Sequence, residues 1–146
     1  MLEASALGKR KVDALRELVR SRRYESRLCL AMLDLDHFKR FDDARGHQAG
    51  DRLLEDAARA WSAQLRPTDT LARYGGEEFA LLLPHCDTDT AEAIVARLLD
   101  AVPGRQTASC GIAEWGGAET AEALTARAEA ALYMAKRGGR AQAVLV

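Results

Sequence analysis

Apolar residues recur along this chain at two different spacings, and each spacing predicts a different element. Between Val12 and Val19 they fall at helical intervals with arginines between them, which predicts an amphipathic helix. From Leu28 to Leu33 they form a continuous run of strand length. Such a run is typical of a strand that is buried on both faces. We therefore expect a buried strand that carries Asp34 and Asp36 at its end.

The next segment reads as two helices. A short helical piece is predicted around His37 to Asp43, and Gly46 interrupts it. A longer helix follows, which Pro67 should end because proline cannot continue a helix. Its predicted apolar face consists of Leu53, Leu54, Ala57, Ala58, Trp61 and Leu65.

A glycine pair in the middle of the chain predicts a hairpin. Two strand-like runs, Thr70 to Tyr74 and Glu78 to Leu83, flank Gly75 and Gly76. Both glycines accept positive φ, so the pair is a strong signal for a tight turn. We predict two antiparallel strands here.

The C-terminal half alternates helix and strand. The patterns predict a helix from Thr90 to Val102, a strand from Thr107 to Ala113, a helix from Thr120 to Arg137 and a strand from Gln142 to Val146. With the preceding elements this order contains β-α-β-β-α-β. It predicts an α+β, ferredoxin-like or palm-type fold with a mostly antiparallel five-stranded sheet flanked by helices.

Length, composition and charge exclude several classes of protein. The 146 residues suit one domain spanning positions 1–146, and 48% apolar with 29% charged residues is typical of a soluble globular chain. Twenty-one basic and 22 acidic residues give a net charge of -1, so no overall field favours nucleic acid or a membrane surface. The three cysteines form no C-x-x-C pair, and we find neither a secretory signal nor an apolar span. We expect a reduced, cytoplasmic protein without membrane insertion.

Two pairs of acidic residues are the candidate chemistry. Asp34 and Asp36 close one strand, while Glu77 and Glu78 lie on the hairpin, and one sheet can bring both pairs together. Clustered carboxylates repel one another unless a cation joins them, and such hard ligands suit Mg²⁺ or Mn²⁺ together with substrate phosphates. Each pair alone is ordinary, because strand ends and hairpins often carry solvated acids. Their conjunction with two glycines, which allow a ligand to approach the backbone closely, favours a nucleotide site.

The segment Arg73 to Phe79, RYGGEEF, resembles the signature of GGDEF domains, the catalytic modules of diguanylate cyclases. Three further segments are similar to family motifs in order and spacing: Leu33 to Asp51, Thr107 to Ala113, and Ala131 to Arg140. The resemblance runs from about Ser5 to the C terminus. It implies condensation of two GTP molecules into cyclic di-GMP with release of two pyrophosphates, dependent on Mg²⁺ or Mn²⁺.

The resemblance also implies roles for the acids. Asp34, the backbone carbonyl of Leu35 and Glu77 would bind the metal, and Asp36 would join a second metal site. Glu77 would also act as general base toward the attacking 3'-hydroxyl, with Glu78 assisting.

Substrate contacts follow from the same matches. The triphosphate would contact Lys39, Lys136 and Arg140, and Gly75 and Gly76 would leave room for the nucleotide. Amides at the start of the helix after Asp36 are further candidates for phosphate oxygens. Asp51 and Asp42 fall at the guanine-contacting positions, but the family usually has Asn where this chain has Asp42. An ionised Asp42 cannot donate to guanine N3 as an Asn amide can, so we expect weakened GTP affinity.

A second site would regulate the enzyme. Arg66-Pro67-Thr68-Asp69 is an R-x-x-D at the family's spacing for product inhibition, and Arg97 matches a supplementary arginine on a neighbouring domain. Alone, R-x-x-D is more often a loop salt bridge. Cyclic di-GMP would bind at Arg66, because arginine pairs bidentately with guanine O6 and N7.

The family pattern implies assembly as well. Each domain holds one GTP, so a homodimer is required, and we expect a longer signalling protein to supply the dimerising segment. The family's opening motif is also reduced here, at Ala4 to Lys11. Three functions stay open: an active cyclase, a weak or inactive domain that acts as a cyclic di-GMP receptor, and a partner-docking module.

Overall fold

The computed structural model describes residues 2–3 and 27–146. The helix predicted between Val12 and Val19 and the altered opening at Ala4 to Lys11 lie outside the described residues. In chain order the elements are β1 (Leu2–Glu3), β2 (Leu28–Leu35), α1 (Phe38–Arg45), α2 (His47–Ser62), β3 (Thr70–Gly75), β4 (Glu78–Pro84), α3 (Thr88–Asp100), β5 (Ala108–Glu114), α4 (Ala121–Arg137) and β6 (Ala143–Leu145).

The strands form one sheet in the order β1-β3-β4-β2-β5-β6. The three central pairings are antiparallel, whereas the edge strands β1 and β6 pair in parallel. All five predicted strands are present, and the two-residue β1 is an additional edge strand. The predicted α+β fold is therefore confirmed, with β2 at the centre between β4 and β5.

Each face of the sheet has its own apolar core, because successive strand residues point to opposite faces. Cys29, Leu33 and Phe79 face α2 and α3, where the rings of Trp61 and Phe79 meet edge to face with centroids 5.1 Å apart. Trp61 Nε1 also donates to the Leu98 carbonyl at 2.9 Å. These contacts anchor the hairpin strand β4 through Phe79.

Helix α4 covers the other face and lies unusually close to the sheet at one point. Leu30, Met32 and Leu82 pack with Leu124 and Ala128 of α4. A Cβ atom at position 111 of β5 would collide with the α4 backbone between residues 128 and 132. Glycine at position 111 therefore allows the helix to pack at this depth.

Several predicted boundaries are shifted for local reasons. Helix α2 ends at Ser62, so Leu65 lies beyond it and is only partly buried. Helix α3 begins at Thr88, two residues early, because the Asp87 side chain accepts from the Thr90 amide and caps it. It also ends at Asp100, before the predicted stop.

The hairpin turn is displaced by one residue from the glycine pair. Gly75 is the last residue of β3 and pairs with Glu78, so the turn consists of Gly76 and Glu77. Gly76 has φ 47°, as a tight turn requires. A register shift between Arg73 and Gly75 interrupts the ladder just before the turn.

Within residues 2–3 and 27–146, no helix combines the length and apolar character needed to cross a bilayer.

Candidate functional site

The strand register brings acids from β2 and β4 side by side. Asp34 pairs with Glu78 on one side and with Ser109 of β5 on the other. Because Phe79 points into the α2 and α3 core, its neighbour Glu78 must point toward α4, as Asp34 does. Glu77 follows Gly76 in the turn above them. The predicted meeting of the two acid pairs is therefore seen for Asp34 and Glu78.

A lysine from the last turn of α4 lies over this end of β2. The Lys136 ammonium is 2.8 Å from Asp36 Oδ1 and 3.7 Å from Asp34 Oδ1. It also lies 3.4 Å from the carbonyl oxygen of Leu35 and 3.5 Å from that of Asp34. Lys136 thus supplies a positive charge to the oxygens that the family resemblance predicts as metal ligands.

Asp36 is the most enclosed of these acids. Asp36 is only 3% exposed. Both of its carboxylate oxygens accept hydrogen bonds. Burial raises its pKa, but the bonds from Lys136, Thr107, Ser109 and the Ala141 amide outweigh that effect and lower the pKa overall.

Asp34 and Glu78 are perturbed in the opposite direction. Burial, opposed by Lys136 but reinforced by Glu77 and Asp36, raises the pKa of Asp34 to about 6. Burial and then the nearby charges of Glu129, Asp34 and Glu77 raise the pKa of Glu78 to about 7. Glu129 stands on α4, and burial raises its pKa too. Both β-strand carboxyls therefore favour a proton or a cation beside them.

The residues fit a divalent cation, although they do not form a complete cage. Glu78 Oε1 is buried without a hydrogen-bond partner among the residues that the structure describes. In that same part of the chain, no three His, Cys, Asp or Glu side chains converge closely enough to hold a metal alone. The donors would instead be the carboxylates of Asp34 and Glu77 with the Leu35 carbonyl, and the charge of Glu77 acts on Asp34. The Lys136 ammonium lies 3.7 Å from Asp34 Oδ1 and 3.4 Å from the Leu35 oxygen, where a cation would bind. Such partial sets suit Mg²⁺, which commonly takes its other ligands from water and substrate phosphate.

The acids predicted to read guanine lie where α1 meets α2. Glycine at position 50 allows the helices to approach, because a Cβ atom there would collide with the Asp42 carboxylate and come within 3.2 Å of Phe38 Cζ. Asp42 Oδ2 lies 2.8 Å from His47 Nδ1. Asp51 follows Gly50 directly and is exposed. The helix junction therefore presents both acids, with Asp42 already paired to an imidazole.

The predicted triphosphate residues border the same end of the sheet. Lys39 lies in the first turn of α1 and is exposed. The N-cap residue of this helix, His37, makes no side-chain capping bond, so the first amides of α1 donate no hydrogen bond to its side chain. Arg140 is exposed in the segment between α4 and β6, with φ 65°. Lys136 contacts the carboxylates directly, while Lys39 and Arg140 lie on segments that adjoin Asp36 and its partner Ala141.

Comparison with known proteins identifies the family. The sequence profile described as "Diguanylate cyclase, GGDEF domain" matches residues 11–142. The chain belongs to the GGDEF family. The diguanylate cyclase DgcP of Pseudomonas aeruginosa is 42% identical over 134 residues, which cover 85% of this chain but 20% of that protein. This GGDEF domain therefore spans a fifth of the length of that relative.

Solved GGDEF structures have the same fold. The GGDEF domain of DgcB from Caulobacter crescentus, in complex with c-di-GMP, is 33% identical with a TM-score of 0.84 and covers 94% of this chain and 86% of its own. Diguanylate cyclase SiaD of Pseudomonas aeruginosa, in complex with its activator SiaC, is 39% identical with a TM-score of 0.83 and covers 95% of this chain and 58% of its own. The family predicted from the RYGGEEF segment is confirmed.

The R-x-x-D of this GGDEF domain forms a closed turn. Arg66 Nη2 donates to Asp69 Oδ1 at 2.7 Å and to the Pro84 carbonyl at 2.8 Å, and its Nε donates to Asp69 Oδ1 at 3.0 Å. The Asp69 side chain is fully buried, whereas that of Arg66 is 33% exposed. The loop salt bridge weighed in the sequence analysis is therefore present. Arg97 lines a surface cleft with Gln64, two residues before Arg66.

Three contacts in this GGDEF domain were not predicted from the sequence. His47 pairs with Asp42. Thr107 and Ser109 of the family's core strand segment bind Asp36. Ser109 carries a signal that could have been used, because it is a buried hydroxyl in an apolar strand and therefore requires a partner.

Proposed function

We propose that this domain is a diguanylate cyclase that condenses two GTP molecules into cyclic di-GMP and releases two pyrophosphates. One observation carries the proposal: Asp34 and Glu78 lie side by side with raised pKa values, and Glu78 Oε1 lacks a partner in the described chain. Buried like charges of this kind are costly unless a cation joins them. The names of the relatives support the same reaction.

The metal ligands in this proposal are Asp34, the Leu35 carbonyl and Glu77. When bound, Mg²⁺ or Mn²⁺ would neutralise charge on the α-phosphoryl group and lower the pKa of the attacking 3'-hydroxyl. Glu77, which is partly exposed in the hairpin turn, accepts the proton from that hydroxyl, and Glu78 assists from β4. The second-metal role of Asp36 stays a prediction.

The remaining residues bind and orient the nucleotide. Lys39, Lys136 and Arg140 offset the charge of the triphosphate, together with the amides at the start of α1. The 3'-oxygen attacks the α-phosphorus, the bond to the β-phosphate oxygen breaks, and pyrophosphate leaves. Gly75 and Gly76 keep this approach free, because no side chain projects from them over the turn. Asp51 accepts hydrogen bonds from guanine N1–H and N2–H.

Product with two phosphodiester bonds requires a second GTP. A second copy of the domain supplies it when the two sites face each other about a two-fold axis. We infer that a segment of a longer protein brings the copies together.

Cyclic di-GMP is also the proposed inhibitor, bound by Arg66 and Asp69 with Arg97 of a neighbouring domain. A third of the Arg66 side chain is exposed, so its guanidinium can meet guanine while it keeps Asp69. In Arg66→Ala, product inhibition should disappear while turnover persists. Unchanged inhibition, measured as initial rates against added cyclic di-GMP, would reject this site.

The presence of Asp42 favours one second candidate, a catalytically weak domain that acts as a cyclic di-GMP receptor. One experiment separates the two functions. Purified protein is incubated with GTP and Mg²⁺, product is quantified chromatographically, and Glu77→Ala serves as the control. Product that depends on Glu77 supports the cyclase, whereas tight cyclic di-GMP binding without turnover supports the receptor.

A further inference from the structure

Asp36 joins four separate parts of the chain through one carboxylate. Ser109 Oγ and Lys136 Nζ donate to its Oδ1 at 2.7 and 2.8 Å. Thr107 Oγ1 and the Ala141 amide donate to its Oδ2 at 2.6 and 3.0 Å. The Asp36 amide in turn donates to the Thr107 carbonyl at 2.8 Å. The end of β2 is thereby connected to the start of β5, to α4 and to the segment before β6.

These contacts fill the acceptor sites of the Asp36 carboxylate, unlike those of Glu78. A carboxylate offers about four acceptor sites, and four donors fill them here. Glu78, by contrast, retains an unpartnered oxygen in the described chain. A metal ion could bind Asp36 only by displacing a donor, and Ser109 is fully buried with no solvent to replace its bond. The geometry therefore favours a structural connection over metal ligation for Asp36.

The segment that Asp36 holds has a strained backbone. Arg140 and Ala141 are consecutive non-glycine residues with φ of 65° and 49°. Left-handed conformations of this kind cost energy and persist only where surrounding contacts fix them. The fixing contacts are the Ala141 amide on Asp36, the Arg140 amide on the Ala135 carbonyl at 3.0 Å, and Gln142 Nε2 on that same carbonyl at 3.0 Å.

Asp36 is therefore connected to two of the cations at this end of the sheet, to Lys136 directly and to Arg140 through the next residue. It binds the Lys136 ammonium, and it binds the amide of the residue that follows Arg140. We propose that Asp36 is a positioning residue, which holds Lys136 and the Arg140–Ala141 backbone in place so that both cations can receive the triphosphate of GTP. This inference rests on the proposed function, because it takes over the triphosphate role of Lys136 and Arg140.

Nucleotide binding without metal tests the proposal. In EDTA, the affinities of wild type and Asp36→Asn for GTP and for GMP are measured by NMR titration of backbone amides. Asn offers one acceptor oxygen and one donor group, so Lys136 and Ala141 cannot both keep their bonds. We expect affinity for GTP to fall roughly tenfold, the effect of losing a hydrogen bond to a charged group, and affinity for GMP to stay within about twofold. Asp89→Asn, an exposed acid on α3, controls for the charge change and should bind both as wild type does.

Three outcomes would overturn the proposal. Unchanged or tighter GTP binding by Asp36→Asn would mean that Asp36 restrains Lys136 from phosphate instead of positioning it. A defect that appears only when Mg²⁺ is added would mean that Asp36 acts as a metal ligand. Equal losses for GTP and GMP would mean a general structural defect. A wild-type protein that binds no GTP, with or without Mg²⁺, would instead reject the proposed function.

Two further measurements test the contact with Ala141 directly and provide a second variant. Amide hydrogen exchange at Ala141 should accelerate in Asp36→Asn without nucleotide present, and an unchanged rate would contradict the described contact. If Asp36→Asn does not fold, the Thr107→Val and Ser109→Ala double variant removes one donor from each oxygen. It should weaken GTP binding by about threefold and leave GMP binding unchanged, since weaker neutral hydrogen bonds are lost. Equal GTP binding by this variant and wild type would also count against the proposal.

Discussion

The buried carboxylates at the two ends of β4 differ in whether the protein itself neutralises their charge. At the start of β4, Glu78 lies beside Asp34, and the pKa values of both carboxyls are raised. Glu78 Oε1 also has no hydrogen-bond partner in the described chain. At its last residue, the Pro84 carbonyl accepts from Arg66, which also pairs with the fully buried Asp69 side chain. A bound cation would stabilise the carboxylates at the first end, where Lys136 neutralises them only in part. At the second end, Arg66 neutralises the Asp69 carboxylate.

We call the start of β4, with Asp34 and Glu78, the open end, because its carboxylates can still bind a cation. We call the Arg66–Asp69 pair at Pro84 the closed end, because its charges already neutralise each other.

The largest effect on the open end should come from Glu77→Gln. The substitution keeps the size of the side chain but removes both the proposed metal ligand and the general base. Turnover should fall roughly 10²–10⁴-fold, the range for loss of general acid–base catalysis, as measured by chromatography of cyclic di-GMP. The melting temperature should not fall, because Glu77 lies in a turn and its charge only adds to the repulsion at Asp34 and Glu78. Activity within tenfold of wild type would contradict the assigned role.

At the closed end the large effect should be on stability. Arg66→Ala leaves the Asp69 carboxylate buried without its main partner, which should cost about 2–3 kcal/mol of unfolding free energy in urea at pH 7. Arg59→Ala is a matched control, since Arg59 and Asp56 form an exposed pair of the same spacing at 3.4 Å. It should cost less than about 0.5 kcal/mol. Similar losses in both variants would mean that burial does not distinguish the Arg66 pair.

Base recognition offers an intermediate effect. At the guanine-contacting position that the family resemblance implies for Asp42, Asp42→Asn supplies the donor that the carboxylate lacks, while its oxygen can still accept from His47. The KM for GTP should fall about fivefold or more, the effect of roughly 1 kcal/mol from one hydrogen bond. The measurement is steady-state kinetics at saturating Mg²⁺. If KM does not decrease, the account of the aspartate at this position is wrong.

The smallest effect should be a pH-dependent gain in stability at the open end. The folded pKa of Glu78 is raised to about 7, above its unfolded value near 4.5. The folded state therefore binds the proton more tightly, so wild-type stability declines as pH rises between about 4.5 and 7. Glu78→Gln removes the part of this decline that Glu78 causes, while the raised pKa of Asp34 leaves a smaller decline in place.

In EDTA, Glu78→Gln should melt slightly higher than wild type at pH 8 and equally at pH 4. Exposed Glu92 on α3 provides the control, and Glu92→Gln should show no difference at either pH. If Glu78→Gln raised the melting temperature equally at both pH values, the ionised Glu78 carboxylate would not be the cause of the gain.

The sequence predicted the elements well because their signals are local. The apolar run of β2, the glycine pair and the face of α4 each lie within one segment, and so does the Arg66 to Asp69 spacing. Helix ends were less accurate, since the capping side chain of Asp87 was overlooked. Family resemblance was needed to select Lys136 and Arg140 from 21 basic residues.

The state of the acids could not be read from the sequence. Asp36 and Lys136 are 100 positions apart, and the contact depends on how α4 lies on the sheet. Whether an acid is saturated, as Asp36 is, or has an orphaned oxygen, as Glu78 has, follows from burial and register together. Neither quantity is encoded in a motif of adjacent residues.

The close approach of α4 to β5 at Gly111 has a consequence for protein engineering. Since the contact joins two backbones, no choice of neighbouring side chains can make room for an added methyl group. Libraries that aim to change nucleotide preference or regulation should therefore leave position 111 fixed and vary the surface of α1 and α2 instead. Gly111→Ala would alter the spacing between Lys136 and the carboxylates without touching any of them.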